Sequence, residues 1–440
     1  MLDLALIRNN REAVEAALGK RMDNVDLSSL LERDAKRREL IGEAEELKAR
    51  RNQVSSEIPR LKKAGEPVDD LLAEMKEVSS RVKAMDQELR ELDEAIRDEL
   101  ARLPNLPADD VPAGGKEANV VLRVWGSKPE FDFQPKDHVD LVTSLGLVDY
   151  ERGVKMGGNG FWLYRGTGAR LEWALLNYFV DTHLADGYEF VLPPHLLNYQ
   201  CGFTAGQFPK FQDDVFQLVG EPVGQGEADT AKRRPGFTHF ILPTAETALI
   251  NYHRDEILAE EDLPRKYFAY TPCYRKEAGS YRAQERGMIR GHQFNKVEMF
   301  QFTAPEHSDT ALEELLAKAE ALVQGLELHY QVTKLAARDA SASMAKTYDI
   351  EVWIPSMAEY KEVSSASNAH DYQARRGNIR FRREGKKQTE FVHSLNASGL
   401  ATSRILPAIV EQGQQADGSI LLPKVLAERL GTDRIVPEGR

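Results

Sequence analysis

The chain has 440 residues, 42% of them hydrophobic, which is enough for two or three domains and a sizeable buried core. Its net charge of −12 excludes a protein that coats nucleic acid indiscriminately, although it leaves room for a local basic surface. No apolar run reaches membrane-spanning length, and the amino-terminal MLDLALIRNNREAV lacks the basic-then-apolar layout of a signal segment, so a cytoplasmic protein without membrane contact is expected. The two cysteines, Cys201 and Cys273, are far apart and have no Cys or His neighbours at metal spacing. Neither a disulfide framework nor a structural zinc is expected, and Cys273 reads as a packed strand residue.

Residues 1–26 carry a short amphipathic pattern (Leu4, Ile7, Val14, Leu18) that predicts a small helical element. From residue 31 to 103 the pattern changes. Leu40, Leu47, Val54 and Leu61 recur every seventh residue. After a Gly65-Glu66-Pro67 turn, a four-three alternation runs through Leu71, Met75, Val78, Val82, Met85, Leu89, Leu92, Ile96 and Leu103, with Glu99 off pattern. Two such helices joined by a tight turn predict an antiparallel coiled-coil hairpin, and ~35 residues at 1.5 Å rise give it a length of roughly 50 Å. Pro59, inside the first helix, is expected to kink or end it, because it removes a backbone donor. The faces away from the seam carry Arg37, Arg38, Lys48, Arg50, Arg51, Arg60, Lys62 and Lys63 among many glutamates. Such a surface is either merely solvated or a nucleic-acid contact.

The breaker-rich stretch 104–116 lacks periodicity and marks a domain boundary. Residues 169–184 show helical spacing (Leu171, Ala174, Leu175, Tyr178, Phe179), end at Gly187 and lead into a strand at 189–192 before Pro193 and Pro194. Between Leu218 and Phe240 a Gly- and charge-rich interruption without a period reads as an exposed loop. Thr244, Ala245 and Glu246 then precede a helical run; a carboxylate there can be a simple cap or a ligand group.

The densest signal is 271–300, TPCYRKEAGSYRAQERGMIRGHQFNKVEMF, where strand-like runs flank a cationic loop. On strand spacing Tyr274 and Lys276 face one way, and Arg275 and Glu277 the other. A guanidinium such as Arg275 can grip phosphate oxygens bidentately, and Glu277 can accept from an exocyclic amine. On the returning strand Phe294 and Glu298 share a side. The alternative is a basic hairpin whose arginines are only solvated.

Residues 347–355 read as a strand and 360–365 as its partner, from which Glu362 and Ser365 offer hard oxygens suited to Mg2+ on a polyphosphate. Arg375 and Arg376 follow in a stretch where they can equally be surface charges. Last, 393–406 leads from a strand into a helix with an apolar face at Leu406, Ile409 and Val410. Its small residues permit close approach of a ligand, and Arg404 lies where it can reach phosphate.

Arg275-Lys-Glu-Ala-Gly-Ser280 with His292-Gln-Phe-Asn-Lys-Val-Glu298 resembles the second signature motif of class II aminoacyl-tRNA synthetases in the form FRxEAGS…HQFxKVE of seryl-tRNA synthetases. The resemblance extends to TAE at 244–246, EVSS at 362–365, SNxxDxQARR at 367–376 and the third class II motif at 393–406, while 169–194 resembles the first, dimer-forming motif. It implies an α+β protein: an N-terminal antiparallel coiled-coil hairpin, then a class II antiparallel β-sheet flanked by helices. The implied domains are a tRNA-binding helical arm at 1–110, a linker at 111–118 and a catalytic domain at 119–440. It further implies a serine–tRNA ligase, a homodimer, using L-serine, ATP with Mg2+ and tRNA(Ser), with tRNA(Sec) as a further acceptor.

The roles implied by position are these. Arg275 holds the α-phosphate and, with Arg404, is catalytic. Glu277 reads the adenine amine and Phe294 stacks on the ring, with Arg404 covering its other side. Lys276, Val363, Ser364 and Ser365 complete the ATP site, and Glu362 and Ser365 reach the metal. Thr244, Ala245, Glu246, Glu298, Asn396 and Ser398 hold the serine. Two departures stand out: Ala397 and Ser403 replace glycines of the third motif, so strain is expected if either needs a positive φ, and 281–286 departs from the family's loop. The competing readings are a paralogue devoted to antibiotic self-resistance or to loading another acceptor, and a non-catalytic RNA-binding protein that would have lost phosphate-binding arginines.

Overall fold

The computed structural model describes residues 1–219, 237–277 and 287–437. The body of the Gly- and charge-rich insertion and the loop from Ser280 to Arg286 lie outside the described residues. The chain divides into two compact units, Leu2–Pro104 and Asn105–Arg440, the latter including Met1.

In the first unit two short helices, Leu4–Asn9 and Arg11–Gly19, bury Ile7, Val14 and Leu18. Asp3 starts the first of them by accepting the Ala5 N–H at 2.7 Å, satisfying an otherwise orphaned donor. The long helices α1 (Ser28–Ala64) and α2 (Asp69–Arg102) follow. The seam of the seven-residue repeat is buried at Val54, Met75, Val82, Met85 and Ile96. It also holds a position that the repeat does not announce: Asp34, fully buried, pairs with Arg8 at 2.7 Å and Arg38 at 3.3 Å. Pro59 does not end α1, which continues to Ala64. There Gly65, at φ +77°, takes the left-handed conformation and donates its N–H back to Leu61. Pro59 is exposed, so the carbonyl that its missing N–H leaves unpaired meets water instead of a buried void.

Several of the arm's cations are already engaged across the hairpin. Lys48 meets Asp86 at 2.9 Å, Lys36 meets Glu88 at 2.6 Å, Arg50 meets Glu74 at 3.3 Å, and Arg37 contacts Asp93. These are exposed pairs and each contributes little to stability, ~0–1 kcal/mol. Their effect is on where positive charge remains available, and Arg51, Arg60, Lys62 and Lys63 have no ion pair recorded among the described residues.

The second unit is built on one eight-stranded sheet. Its strands in chain order are β1 (Val120–Trp125), β2 (Glu189–Val191), β3 (Arg265–Tyr274), β4 (Gln293–Thr303), β5 (Tyr330–Lys334), β6 (Lys346–Ile354), β7 (Glu359–Asn368) and β8 (His393–Ala401). Across the sheet they run β1-β5-β6-β7-β8-β4-β3-β2. Every neighbour is antiparallel except β2 on β3. Helix α3 (Gly166–Ala185) precedes β2, α4 (Ser308–Gly325) packs on β7 and β8, and α5 (Thr402–Gln412) packs on β6. Leu171, Leu175 and Phe179 of α3, Leu315 and Leu322 of α4, and Ile405, Leu406 and Ile409 of α5 join one core. Segment 105–118 runs along this unit: Asn105 donates its side-chain amide to the Ser343 and Ala369 carbonyls, at 2.9 and 2.8 Å, and Val111 is buried.

The period-two alternation of strands decides which side chains face the site. On β4 and β8, Val297, Met299, Leu395 and Ala397 enter that core. The residues between them, Lys296, Glu298, Asn396 and Ser398, point the other way and line a cavity.

Candidate active site

Two irregularities in the sheet shape this cavity. The β6/β7 register passes from Ile350↔Ser364 to Glu351↔Glu362, leaving Val363 as an extra residue. Residues three apart on a regular strand face opposite sides, so this bulge is what lets Glu362 and Ser365 line the same space. On β4 and β8 the register jumps from Lys296↔Ala401 to Glu298↔Ser398, loosening the ladder where the strand gives way to α5.

The cavity has a volume of about 460 Å³ and brings together Thr244, Glu246, Arg275, Glu277, Glu298, Glu362, Ser365, Asn396 and Ser398. A second, smaller cleft shares Arg275, Glu277, Glu362 and Ser398 with it and adds Phe294, Val363 and Arg404. The guanidinium groups of Arg275 and Arg404, distant in sequence, therefore converge on one cleft. Three expected residues stay out of the lining. Lys276 donates its backbone N–H to the Asp214 carbonyl at 3.0 Å, Ala245 is fully buried, and fully buried Ser364 donates its hydroxyl to the Ser398 carbonyl at 2.6 Å.

Arg275 and Glu277 reach the cavity by a different geometry from the alternation expected of them. Strand β3 ends at Tyr274, and Glu277 takes a left-handed φ of +51°. The Arg275 guanidinium stacks over the Phe294 ring at 5.2 Å and donates to the Pro243 carbonyl at 3.3 Å. The Glu277 carboxylate contacts Arg290, a residue that the motif reading left unassigned. Arg404 is held from the other side, donating to the Glu362 carbonyl at 2.8 Å and its carboxylate at 3.2 Å. Neither Ala397 nor Ser403 has a positive φ, so the strain expected from replacing glycine does not arise.

The acidic end is a charge relay of buried groups. Lys296, also missed by the motif reading, contacts Glu298 and donates to Thr244 Oγ1 at 2.7 Å, and Thr244 donates to Glu298 at 3.1 Å. Burial lowers the Lys296 ammonium to about 8, with the nearby Arg275 acting in the same direction and Glu246 and Glu362 opposing. Burial likewise pushes the Glu246 carboxyl up, against the Gln373 amide that donates to it at 2.7 Å. Gln373 stands within the SNxxDxQARR stretch, but that match assigned it no role. It is fully buried, and Ser394 fixes its carbonyl at 2.7 Å.

Beside Glu362, the Asp349 carboxyl is raised well above its ordinary range, first by burial and then by the Glu362 charge, while Ser365 donates to it at 2.7 Å. Crowded carboxylates with a hydroxyl are the hard-oxygen surroundings that Mg2+ accepts, and a cation would relieve their repulsion. Among the described residues no group of three or more His, Cys, Asp or Glu is set out to hold a metal alone. A Mg2+ at this place would take its remaining ligands from phosphate oxygens and water.

Arg375 and Arg376 belong to the scaffold. Arg376 is buried between the Phe203 and Tyr372 rings and donates to the Phe203 and Phe208 carbonyls, and Arg375 pairs with Asp371 at 2.8 Å.

An antiparallel sheet presenting two convergent arginines beside an acid-lined cavity is the arrangement of a class II aminoacyl-tRNA synthetase, and residues 231–413 match the family model "tRNA synthetase class II core domain (G, H, P, S and T)". Residues 1–107 match "Seryl-tRNA synthetase N-terminal domain". A relative from Clostridium acetobutylicum named serine--tRNA ligase 2 is 61% identical over 99% of this chain and 100% of its own length. The structure of the Pyrococcus horikoshii seryl-tRNA synthetase complexed with ATP superposes with a TM-score of 0.91 at 36% identity, covering 99% of this chain and 100% of that one. A cytoplasmic serine-tRNA ligase from Naegleria fowleri in complex with AMP gives 0.85 at 27% identity, over 100% and 99% of the two chains. The chain belongs to the seryl-tRNA synthetase family.

Proposed function

We propose that this chain activates L-serine with ATP and transfers the seryl group to tRNA(Ser), with tRNA(Sec) as a further acceptor. The observation that carries this is the convergence of Arg275 and Arg404 on one cleft that opens beside the cavity of Glu246, Glu298 and Thr244. The serine carboxylate attacks the α-phosphorus, the bond to the bridging oxygen breaks, and pyrophosphate leaves. A terminal ribose hydroxyl of the tRNA then attacks the acyl carbon of the adenylate, and AMP leaves. Neither step needs a protein nucleophile; the side chains position the reactants and neutralise developing charge.

In this reading Arg275 and Arg404 bear on the phosphates, Phe294 packs against adenine and Glu277 accepts from its amine. Val363 lines the nucleotide cleft, while Lys276, Ala245 and Ser364 support the two subsites from outside the lining. Glu246 and Glu298 draw in the serine ammonium, and Asn396, Ser398 and Thr244 supply hydrogen-bonding groups that reject substrates lacking the hydroxyl. Mg2+, held by Glu362 and Ser365, supplies further neutralisation of the polyphosphate. The first unit is a tRNA-binding arm and the second the catalytic domain. The enzyme works in the cytoplasm as a homodimer through the exposed apolar groups Trp173 of α3, Phe190 of β2 and Leu192, which follows β2.

The test is ATP–pyrophosphate exchange measured with each standard amino acid, followed by charging of serine tRNA. Serine-dependent exchange and serine acceptance are expected, and exchange that follows another amino acid would reject the assignment. No observation favours the specialised paralogue.

A further inference from the structure

Glu172, on α3, is 4% exposed and lines neither the cavity nor the cleft, yet it joins the two elements that form the cleft's walls. Its Oε1 accepts from Asn295 Nδ2 at 2.8 Å and from Thr402 Oγ1 at 2.5 Å. Asn295 lies on β4 between Phe294 and Lys296; Thr402 opens α5 two residues before Arg404. Thr402 also donates to the Asn295 carbonyl at 3.2 Å, so the three residues contact one another, and Tyr164 is a further partner of the Glu172 carboxylate.

Its place in the sheet makes this set consequential. The register between β4 and β8 shifts just beyond Lys296↔Ala401, and the chain then leaves the sheet to start α5. Regular ladder bonds do not continue there to hold Arg404 against Phe294. A carboxyl group whose one oxygen receives a donor from each side supplies that restraint. Removing this buried acceptor takes from the Asn295 amide its side-chain partner and leaves Thr402 only the longer contact to the Asn295 carbonyl, which forces local rearrangement.

We infer that Glu172 is a positioning residue for nucleotide activation: it sets the separation of the Phe294 and Arg404 walls without touching the nucleotide. Thr244, Glu246 and Glu298 are held by Lys296 and Gln373, not by Glu172. The serine subsite therefore has restraints of its own, and a change at Glu172 bears first on the nucleotide cleft. The inference rests on the reading of the cleft as the ATP site.

The experiment compares Glu172→Gln, which keeps an acceptor oxygen, with Glu172→Leu, which does not, and adds Thr402→Val as an independent cut of the same contact. KM for ATP and for serine are measured by pyrophosphate exchange alongside melting temperature. Glu172→Leu and Thr402→Val should each raise KM for ATP on the order of tenfold with serine KM changed less than about twofold, while Glu172→Gln stays near the parent. Unchanged ATP KM in both disruptive variants would overturn the inference, as would equal loss of ATP and serine affinity, the signature of general destabilisation. If Glu172→Leu does not fold, Thr402→Val decides. Failure of the parent enzyme to exchange would count against the ATP reading itself, which separates the two failures.

Discussion

At the scale of single residues, burial sets the protonation behaviour. His183 is fully buried on α3, where its Nε2 meets the Gly399 carbonyl at 3.1 Å, and desolvation lowers its pKa to about 4. His393 on β8 is also lowered to about 4, by burial and by neighbouring His370, against Asp371 and Asp309. In the unfolded chain both titrate near 6.5, so between about 4 and 6.5 the unfolded state binds more protons. Stability is therefore complete above that window and is lost as pH falls through it, by roughly 2–3 kcal/mol per histidine at pH 4.5. Urea midpoints at pH 7.5, 5.5 and 4.5 should decline accordingly, and His393→Gln should make the decline shallower. An unchanged slope in that variant would assign the acid sensitivity elsewhere. Arg275→Ala should lower exchange by ~10²–10³-fold with the circular dichroism spectrum unchanged, because a charge aimed at the transition state is lost while the secondary structure is kept.

At the scale of elements, the arm shows a helix continuing through a residue that disfavours it. Pro59 is exposed near the end of α1, and the seam at Val54, Met75 and Val82 supplies the packing that intrinsic propensity does not. Pro59→Ala should restore one backbone hydrogen bond and stabilise the last turns by ~1–3 kcal/mol. Amide exchange from Arg60 to Ala64 should slow correspondingly, and unchanged exchange rates would mean that the packing, not the proline, governs opening there. The sheet illustrates the converse. Regular alternation sends Val297, Met299, Leu395 and Ala397 to the core; of the sheet's three register shifts, those on β7 and β8 occur where site residues must be re-aimed, and the third lies on edge strand β1.

For the molecule as a whole, a net charge of −12 must be reconciled with a polyanionic partner. Cross-hairpin pairs occupy Arg37, Lys48 and Arg50, leaving Arg51, Arg60, Lys62 and Lys63 at and near the hairpin turn. Reversing Arg60, Lys62 and Lys63 to glutamate should weaken serine-tRNA charging and reduce its salt dependence by up to about three phosphate contacts, while pyrophosphate exchange is unaffected. Charging that keeps its parental salt slope would place the contact elsewhere.

What could be determined without coordinates was what repeats or matches. The seven-residue seam, the alternating strands and the signature motifs each follow local rules of side-chain direction, so Arg275, Glu298 and Arg404 could be named in advance. The fold class and the family follow from the same signals. Other features arise from contacts between distant segments. Asp34 sits in the apolar seam because Arg8 and Arg38 neutralise it. Gln373 and Lys296 become site residues only once β4, β8 and the 244–246 segment come together. Glu172, a buried polar position on α3, acquires its partners only when α3, β4 and α5 pack. Periodicity dictates which way a side chain points; what it meets there is decided by the folded chain, because a buried polar group needs a partner and that partner is distant in sequence.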